Sequence, residues 1–281
     1  MSKFLKKLLK GVLEEEELEK VYSSFDMIGD IAIIKIPDSL LTKKNTIGEV
    51  ILQSIKNLKS VFLQRSSVSG EYRLRELEVI AGDERYVTYY REYGCKFLVN
   101  VATSYFSPRL STERLRISNL VSPGEIVVNM FAGVGTFSVM MAKRHPIKVY
   151  NIDSNLDAYI LSIINSKINR LKDRIFSIHG DSQEVLRSNN FKDRIDRVLL
   201  PLPERAHEFV DVSINCLKPS GGHLHFFSHI KSDTKSQVVP TSEVHIRSLF
   251  SKYNYEIKHT QIVRDVAPRI YQTVTDLFIF K

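Results

Sequence analysis

An apolar run, Ile126-Val127-Val128, enters the segment Asn129-Met130-Phe131-Ala132-Gly133-Val134-Gly135-Thr136-Phe137. A second, Phe137-Ser138-Val139-Met140-Met141-Ala142, leaves it. Two glycines spaced one apart stand where a buried strand must turn sharply into a helix. Glycine suits that turn because it tolerates left-handed backbone and lets a ligand approach the main chain closely. Strand, glycine turn and helix in that order form the first unit of an open parallel sheet, so this segment constrains the fold more than any other.

The chain that follows agrees with such a sheet. Ile126–Asn129, Lys148–Ile152, Ile175–His179, Asp196–Leu200 and His223–Ser228 read as strands, with helices between them, notably Leu156–Leu171 and Glu204–Leu217. Strands alternating with helices predict an α/β fold with helices on both faces of a parallel sheet. Tyr255–Val263 and Tyr271–Phe280 have no helix between them and predict an antiparallel pair closing the sheet.

Ahead of this block the pattern differs. Ile31–Pro37 and Val61–Gln64 read as strands, and Thr46 as the cap of a helix over Gly48–Leu58. Leu77–Ala81 and Tyr86–Tyr90 read as a hairpin turning at Gly82-Asp83-Glu84, with a further strand over Lys96–Val101. The reading is a smaller α+β domain over residues 1–108 and an α/β domain over 109–281. A helix from Ser111 to Leu120 opens the second domain.

Composition excludes several classes. With 43% hydrophobic and 26% charged residues, and no apolar run near the roughly 20 residues that span a bilayer, nothing predicts a membrane protein. The basic, amphipathic start, Met1–Lys10, reads as a surface helix. The Glu14-Glu15-Glu16-Glu17 run behind it argues against an import signal. Two cysteines, Cys95 and Cys216, make neither a disulfide framework nor a metal site, and the eight histidines lack ligand spacing. A cytoplasmic setting and no metal are expected. The net charge of +8, spread over both halves, suits a nucleic-acid partner.

Four features fall at the carboxyl ends of the predicted strands, where open sheets bind ligands. The glycine turn ends the first. Asp153, Ser154 and Asn155 end the second, where a carboxylate would accept hydrogen bonds from ribose hydroxyls. Asp181 and Ser182 end the third, where a carboxylate would meet an adenine amino group. Pro201-Leu202-Pro203 ends the fourth. The third position of a dinucleotide fingerprint holds Ser138 rather than glycine, and no basic cradle for a pyrophosphate is present. The ligand expected is a nucleoside cofactor other than a dinucleotide.

These residues resemble the class I methyltransferases that use S-adenosylmethionine. Tyr105-Phe106-Ser107-Pro108-Arg109-Leu110-Ser111-Thr112-Glu113-Arg114, with the glycine turn, Asp196-Arg197-Val198 and Glu204–Phe209, carries a closer likeness, extending from about Arg73 to the C-terminus. It resembles the archaeal and eukaryotic tRNA guanine-37 N1-methyltransferases. The resemblance implies Glu113 as the base that removes the N1 proton and Arg73 as the cation beside O6. It places Tyr105, Arg114, Phe131, Gly133, Gly135, Asp153, Ser154, Asn155, Asp181, Ser182 and Leu202 around the cofactor, and Arg109 and Arg116 toward RNA. The expected partner is the anticodon loop of tRNA at position 37, and the expected state a monomer. Where the family has Asn-Leu-Pro, this chain has Pro201-Leu202-Pro203. Proline lacks a donor, so one base contact is lost. That form resembles the bifunctional archaeal branch, whose members also methylate C7 of 4-demethylwyosine. The family's small domain for the tRNA elbow has no counterpart in this reading, so recognition should rest on the anticodon region. Transfer of the aminocarboxypropyl group of the same cofactor would use the same sheet and turn, and an RNA-binding protein with a vestigial cofactor fold would keep them too.

Overall fold

The computed structural model describes residues 4–22, 25–66, 70–188 and 190–281. The chain divides into two compact units, Met1–Pro108 and Arg109–Lys281.

The first unit holds helices α1 (Phe4–Leu8), α2 (Glu15–Lys20) and α3 (Lys44–Ser54), and strands β1 (Asp26–Ile28), β2 (Ile31–Ile34), β3 (Ser60–Gln64), β4 (Leu77–Gly82), β5 (Val87–Glu92) and β6 (Cys95–Asn100). Strands β1 to β4 form one sheet in that order, and β5 and β6 a separate two-stranded ribbon. Strand β2 is buried along its whole length. It runs parallel to β3, with α3 as the crossover. At five residues α1 is too short to persist by itself. Leu5 of the helix, with Leu9 and Leu13 just behind it, lies in the core with Ile34, Ile47 and Ile51, so packing rather than propensity makes the helix. The described part of the N-terminal segment is a surface helix docked by its leucine face, with Phe4, Lys7 and Lys10 exposed; Met1–Lys3 are outside the described residues.

Two local expectations are corrected. The helix begins at Lys44 and ends at Ser54, so Thr46 lies inside it and does not cap it. No hairpin joins β4 to β5. Strand β4 pairs with β3, Gly82 lying opposite Ser60, and β5 pairs with β6. At Gly82 (φ 79°) a Cβ would stand 2.1 Å from the Lys59 carbonyl, so this glycine ends β4 against β3 instead of turning into β5. The true two-residue turn is Tyr93-Gly94, with φ of 44° and 76°, the double left-handed geometry that matches strand twist.

The second unit holds α4 (Ser111–Asn119), β7 (Ile126–Asn129), α5 (Thr136–Arg144), β8 (Lys148–Asp153), α6 (Leu156–Ile168), β9 (Ile175–His179), α7 (Ser182–Arg187), β10 (Arg197–Leu200), α8 (Val210–Cys216), β11 (Gly222–Lys231), α9 (Val238–Leu249), β12 (Asn254–Ala267) and β13 (Ile270–Phe280). The seven strands run β9-β8-β7-β10-β11-β13-β12 across the sheet. Neighbours from β9 to β11 pair in parallel, and β13 pairs antiparallel with both β11 and β12. Order reverses at β7, which puts the switch point beside the glycine turn. Helix α6 stops at Ile168, short of Leu171, because Arg170 is left-handed at φ 61°. The Glu204–Leu217 segment starts as a 3-10 turn, Ala206–Phe209, before α8.

Candidate active site

Both turn glycines take the backbone that only glycine takes cheaply, Gly133 at φ 54° and Gly135 at φ 84°. A Cβ on Gly135 would meet the Asn151 amide nitrogen at 3.1 Å. Ser138, standing at the third fingerprint position, bridges the first two strand ends. It accepts from Asn129 Nδ2 at 3.1 Å and donates to the Asn151 carbonyl oxygen. Its small side chain thus lets helix and strands close up as a glycine would, with polar bonds added.

Asp153 ends β8 and accepts from the Gly133 N–H at 2.6 Å and the Asn155 N–H at 3.0 Å. Burial nonetheless pushes its carboxyl above the usual carboxylate range. Each oxygen retains a lone pair, which suits a ribose diol. Asn155 caps α6, accepting from the N–H groups of Asp157 and Ala158. Asp181 caps α7 through Oδ1 alone, accepting from Gln183 N and Glu184 N at 2.8 and 3.2 Å, so Oδ2 stays outside the cap. The Ser182 hydroxyl donates to the Met130 carbonyl, the Ser154 carbonyl accepts from Nε2 of the His179 ring at 3.0 Å, and Phe131 meets Phe209 edge to face at 4.8 Å. Leu202 starts the next turn, its carbonyl accepting from Ala206 N at 2.8 Å, between half-buried Pro201 and buried Pro203. Two carboxylates and no lysine or arginine at these strand ends suit a sulfonium nucleoside and repel a pyrophosphate.

Glu113 on α4 is 3% exposed. Arg116 grips it with two bonds, Nη2 to Oε1 at 2.7 Å and Nε to Oε2 at 2.9 Å, and Gln261 of β12 donates to Oε2 at 2.5 Å. A carboxylate offers about four acceptor sites, so three donors fix its orientation and leave one site on Oε1. The sequence offered an i,i+4 pairing with Arg109 as the ordinary alternative for Glu113; the pair formed is the i,i+3 one with Arg116.

Sequence reasoning missed what stands behind this pair. Arg116 also donates to Asp276 at 2.6 Å, Asp276 accepts from His225 Nδ1 at 2.6 Å, and His225 Nε2 faces Arg197 Nη1 at 2.8 Å. Arg197 in turn clasps Glu125 at 2.7 and 2.9 Å. Arginine only donates, so Nε2 of His225 is the bare nitrogen and Nδ1 carries the hydrogen. His225 is therefore neutral, in agreement with the way burial lowers its pKa. Burial alone would raise the Asp276 pKa; His225 and Arg116 outweigh it and hold the group well below the usual carboxylate range. The one available signal was a polar residue recurring on buried strand positions, as in His223-Leu224-His225.

Arg116, expected toward RNA, donates four hydrogen bonds to the carboxylates of Glu113 and Asp276. Arg114 is 1% exposed. Arg109 is exposed. Arg73 and Tyr105 belong to the first unit, where the Arg73 guanidinium lies 4.3 Å over the Tyr105 ring and Arg73 itself is left-handed at φ 54°. Both cysteines are buried and outside any disulfide, and burial pushes the Cys216 thiol up to about 12. Among the described residues no cluster could hold a metal ion, and no helix is long and apolar enough to cross a membrane.

These histidines make stability depend on pH. In the folded chain burial lowers His223 to about 4 and also lowers His225, against about 6.5 in the unfolded chain. Below pH 6.5 the unfolded chain binds protons that the folded chain refuses, so their contribution is present above that pH and is lost as pH falls toward 4. Urea midpoints should fall steadily from pH 7 to pH 5, with unfolding at pH 5 taking up roughly two protons. A flat profile over that range would mean that neither His223 nor His225 has a lowered pKa in the native state.

Sheet order, glycine turn and carboxylate pair define an S-adenosylmethionine-dependent methyltransferase of class I. Residues 88–257 match the TRM5/TYW2 methyltransferase domain and residues 5–85 the TYW2 N-terminal domain, so the likeness begins well before Arg73. The tRNA (guanine(37)-N(1))-methyltransferase Trm5b of Pyrococcus abyssi is 37% identical, the alignment covering 90% of this chain and 74% of that protein. The tRNA 4-demethylwyosine(37)-methyltransferase Taw21 of Saccharolobus solfataricus is 31% identical over 97% of this chain and 99% of its own length. An aTrm5 solved in complex with tRNALeu superposes with a TM-score of 0.84 at 34% identity, covering 98% of this chain and 78% of that one. The chain belongs to the TRM5/TYW2 methyltransferase family.

Proposed function

We propose that this enzyme methylates the base at position 37 of tRNA, at N1 of guanosine and, as a second reaction, at C7 of 4-demethylwyosine. The observation that carries the reading is Glu113: an enclosed carboxylate, aimed by Arg116 and Gln261, with one acceptor site left. Guanine N1 bears a hydrogen, so attack on a methyl group requires a base within hydrogen-bond reach. Glu113 takes that proton on Oε1, and the Arg116 clamp keeps the acquired hydrogen from swinging the side chain away. Arg73 steadies the negative charge that grows on O6. S-adenosylmethionine supplies the electrophilic methyl group. Asp153 holds ribose hydroxyls, Asp181 the adenine amine through Oδ2, and the Gly133–Gly135 turn leaves room for the methionine end.

Support for the second substrate comes from Pro201-Leu202-Pro203. Its only backbone N–H is that of Leu202, so the pocket wall makes few fixed demands on the base edge and tolerates a tricyclic one. The names of the relatives point the same way: one acts on guanine 37, and another, of nearly equal length, on 4-demethylwyosine 37. The first unit and the exposed Arg109 are assigned to RNA.

The test is product analysis. Purified enzyme is incubated with tRNA carrying guanosine, adenosine or 4-demethylwyosine at position 37, and with cofactor labelled on the methyl or the carboxypropyl carbons. Methyl label on the guanosine tRNA and on the 4-demethylwyosine tRNA, and none on the adenosine one, is the expected result. Methylation of the adenosine tRNA would move the target elsewhere. Retained carboxypropyl label would replace methylation by aminocarboxypropyl transfer, and no methyl gain on 4-demethylwyosine would remove the second reaction.

A further inference from the structure

The β5–β6 ribbon of the first unit carries a feature that methyl transfer does not use. Its inner residues, Thr88 and Glu92, are 3% and 8% exposed, while Val87, Tyr89 and Tyr93 are 39%, 49% and 44% exposed. Three large apolar side chains open to solvent on so short a ribbon mark an interaction surface. Register adds charge to it: Arg91 lies opposite Lys96 and Tyr89 opposite Leu98. The Lys96 ammonium sits over the Tyr89 ring at 3.7 Å.

Beside Tyr89 the surface is concave. A trough of about 560 Å³ runs between the β1–β2 turn, the α3–β3 turn and the free edge of β5, lined by Gly29, Asp30, Lys56, Asn57, Tyr89 and Arg91 among others. Its acidic member is already neutralised: Asp30 accepts from Arg85 at 2.7 Å and from the Thr88 hydroxyl at 2.5 Å. Lys56 and Arg91, both exposed, leave the walls positive. The β1–β2 turn is packed closely on the ribbon. A Cβ on Gly29 would lie 2.3 Å from the Thr88 hydroxyl and 2.4 Å from the Tyr89 carbonyl, so turn and ribbon touch directly.

We propose that this trough and the ribbon face beside it bind a nucleotide of the RNA substrate other than the one that reacts, its base stacked on Tyr89 and its phosphates on Arg91, Lys96 and Lys56. The proposal rests on the reading that the substrate is tRNA. An exposed aromatic ring flanked by cations is the means by which proteins hold unstacked bases without reading their sequence. An exposed cation–π contact is weaker than base stacking, so an arriving base displaces the Lys96 ammonium, whose flexible stem carries it to the adjoining phosphate. The methyl-transfer site has no comparable cations at its strand ends, so the grip on the polyanion has to come from elsewhere.

The experiment compares the intact chain with Tyr89→Ala, Tyr89→Phe and the double variant Arg91→Glu/Lys96→Glu. It measures affinity for full-length tRNA transcript by filter binding from 50 to 300 mM salt. Tyr89→Ala should weaken binding about tenfold, and Tyr89→Phe should keep it. The charge reversal should weaken it by a similar factor or more and lower the slope of log affinity against log salt by about 1.5. S-adenosylmethionine binding, measured alongside, should not change and reports that each variant is folded. Wild-type methylation of tRNA with variant affinities and slopes unchanged within twofold would overturn this proposal alone, and would leave the ribbon face to a protein partner. Failure of the wild type to bind tRNA would overturn both this proposal and the substrate reading.

Discussion

Replacing Glu113 by glutamine should slow methyl transfer to tRNA by about 10²–10⁴-fold, the range that a positioned general base supplies, while changing S-adenosylmethionine affinity by less than a few fold. The amide cannot take the N1 proton at neutral pH. It also fits its surroundings less well, because Arg116 presents two donors and Gln261 a third to what becomes one oxygen and one NH₂ group. Some loss of stability will accompany the catalytic loss, so three measurements are needed: single-turnover rate, cofactor affinity by calorimetry, and unfolding temperature. A rate loss far beyond the affinity loss, at a temperature where the variant is folded, assigns the base. Parallel losses in rate and cofactor affinity would make Glu113 a structural residue.

The second large effect is expected at Arg116. Removing its charge with Arg116→Met leaves Glu113 and Asp276, 3% and 7% exposed, as buried carboxylates facing each other without their shared counter-ion. Breaking a buried ion pair by deleting one partner costs about 3–5 kcal/mol, which in a domain of this size lowers the unfolding temperature by roughly 6–20 °C. Adding Glu113→Gln to Arg116→Met should recover part of that loss, because the residues are coupled. The comparison is Arg205→Met. Arg205 and Glu208 form a pair of similar length, 2.8 Å, but with side chains 47% and 35% exposed, so its removal should cost no more than about 1 kcal/mol. Equal destabilisation by the two substitutions would show that the buried network contributes nothing beyond surface pairing.

The contrast between these arginines marks how far the sequence could be read. Arg109, Arg114 and Arg116 lie within one short motif and invited placement beside one cleft, Arg114 toward the cofactor and the other two toward RNA. Folding separates them: Arg109 is exposed, Arg114 is enclosed, and Arg116 is tied to Glu113 and Asp276. Similarly, Leu77–Ala81 and Tyr86–Tyr90 alternate as paired strands should, and a glycine lies between them. Yet each found another partner, because the Gly82 contact with Lys59 favours β3 and the Tyr93-Gly94 turn favours β6.

What the sequence determined by itself is the local grammar. Apolar runs of strand length alternating with helical spacings established the parallel sheet and its antiparallel end. The glycine pair established a left-handed turn at the first strand's end, and Asp153 and Asp181 fell at the two strand ends that follow. Each of these depends on side chains a few residues apart, within reach of backbone sterics and periodicity. Only the tertiary structure decided the company of Glu113. Gln261 and Asp276, the groups that aim it directly or through Arg116, are 148 positions beyond Glu113 and 160 beyond Arg116 in the chain. They meet through strand pairing at the far end of the sheet, where desolvation makes each polar atom find a partner. That requirement acts on residues brought together by packing, and no spacing in the sequence encodes it.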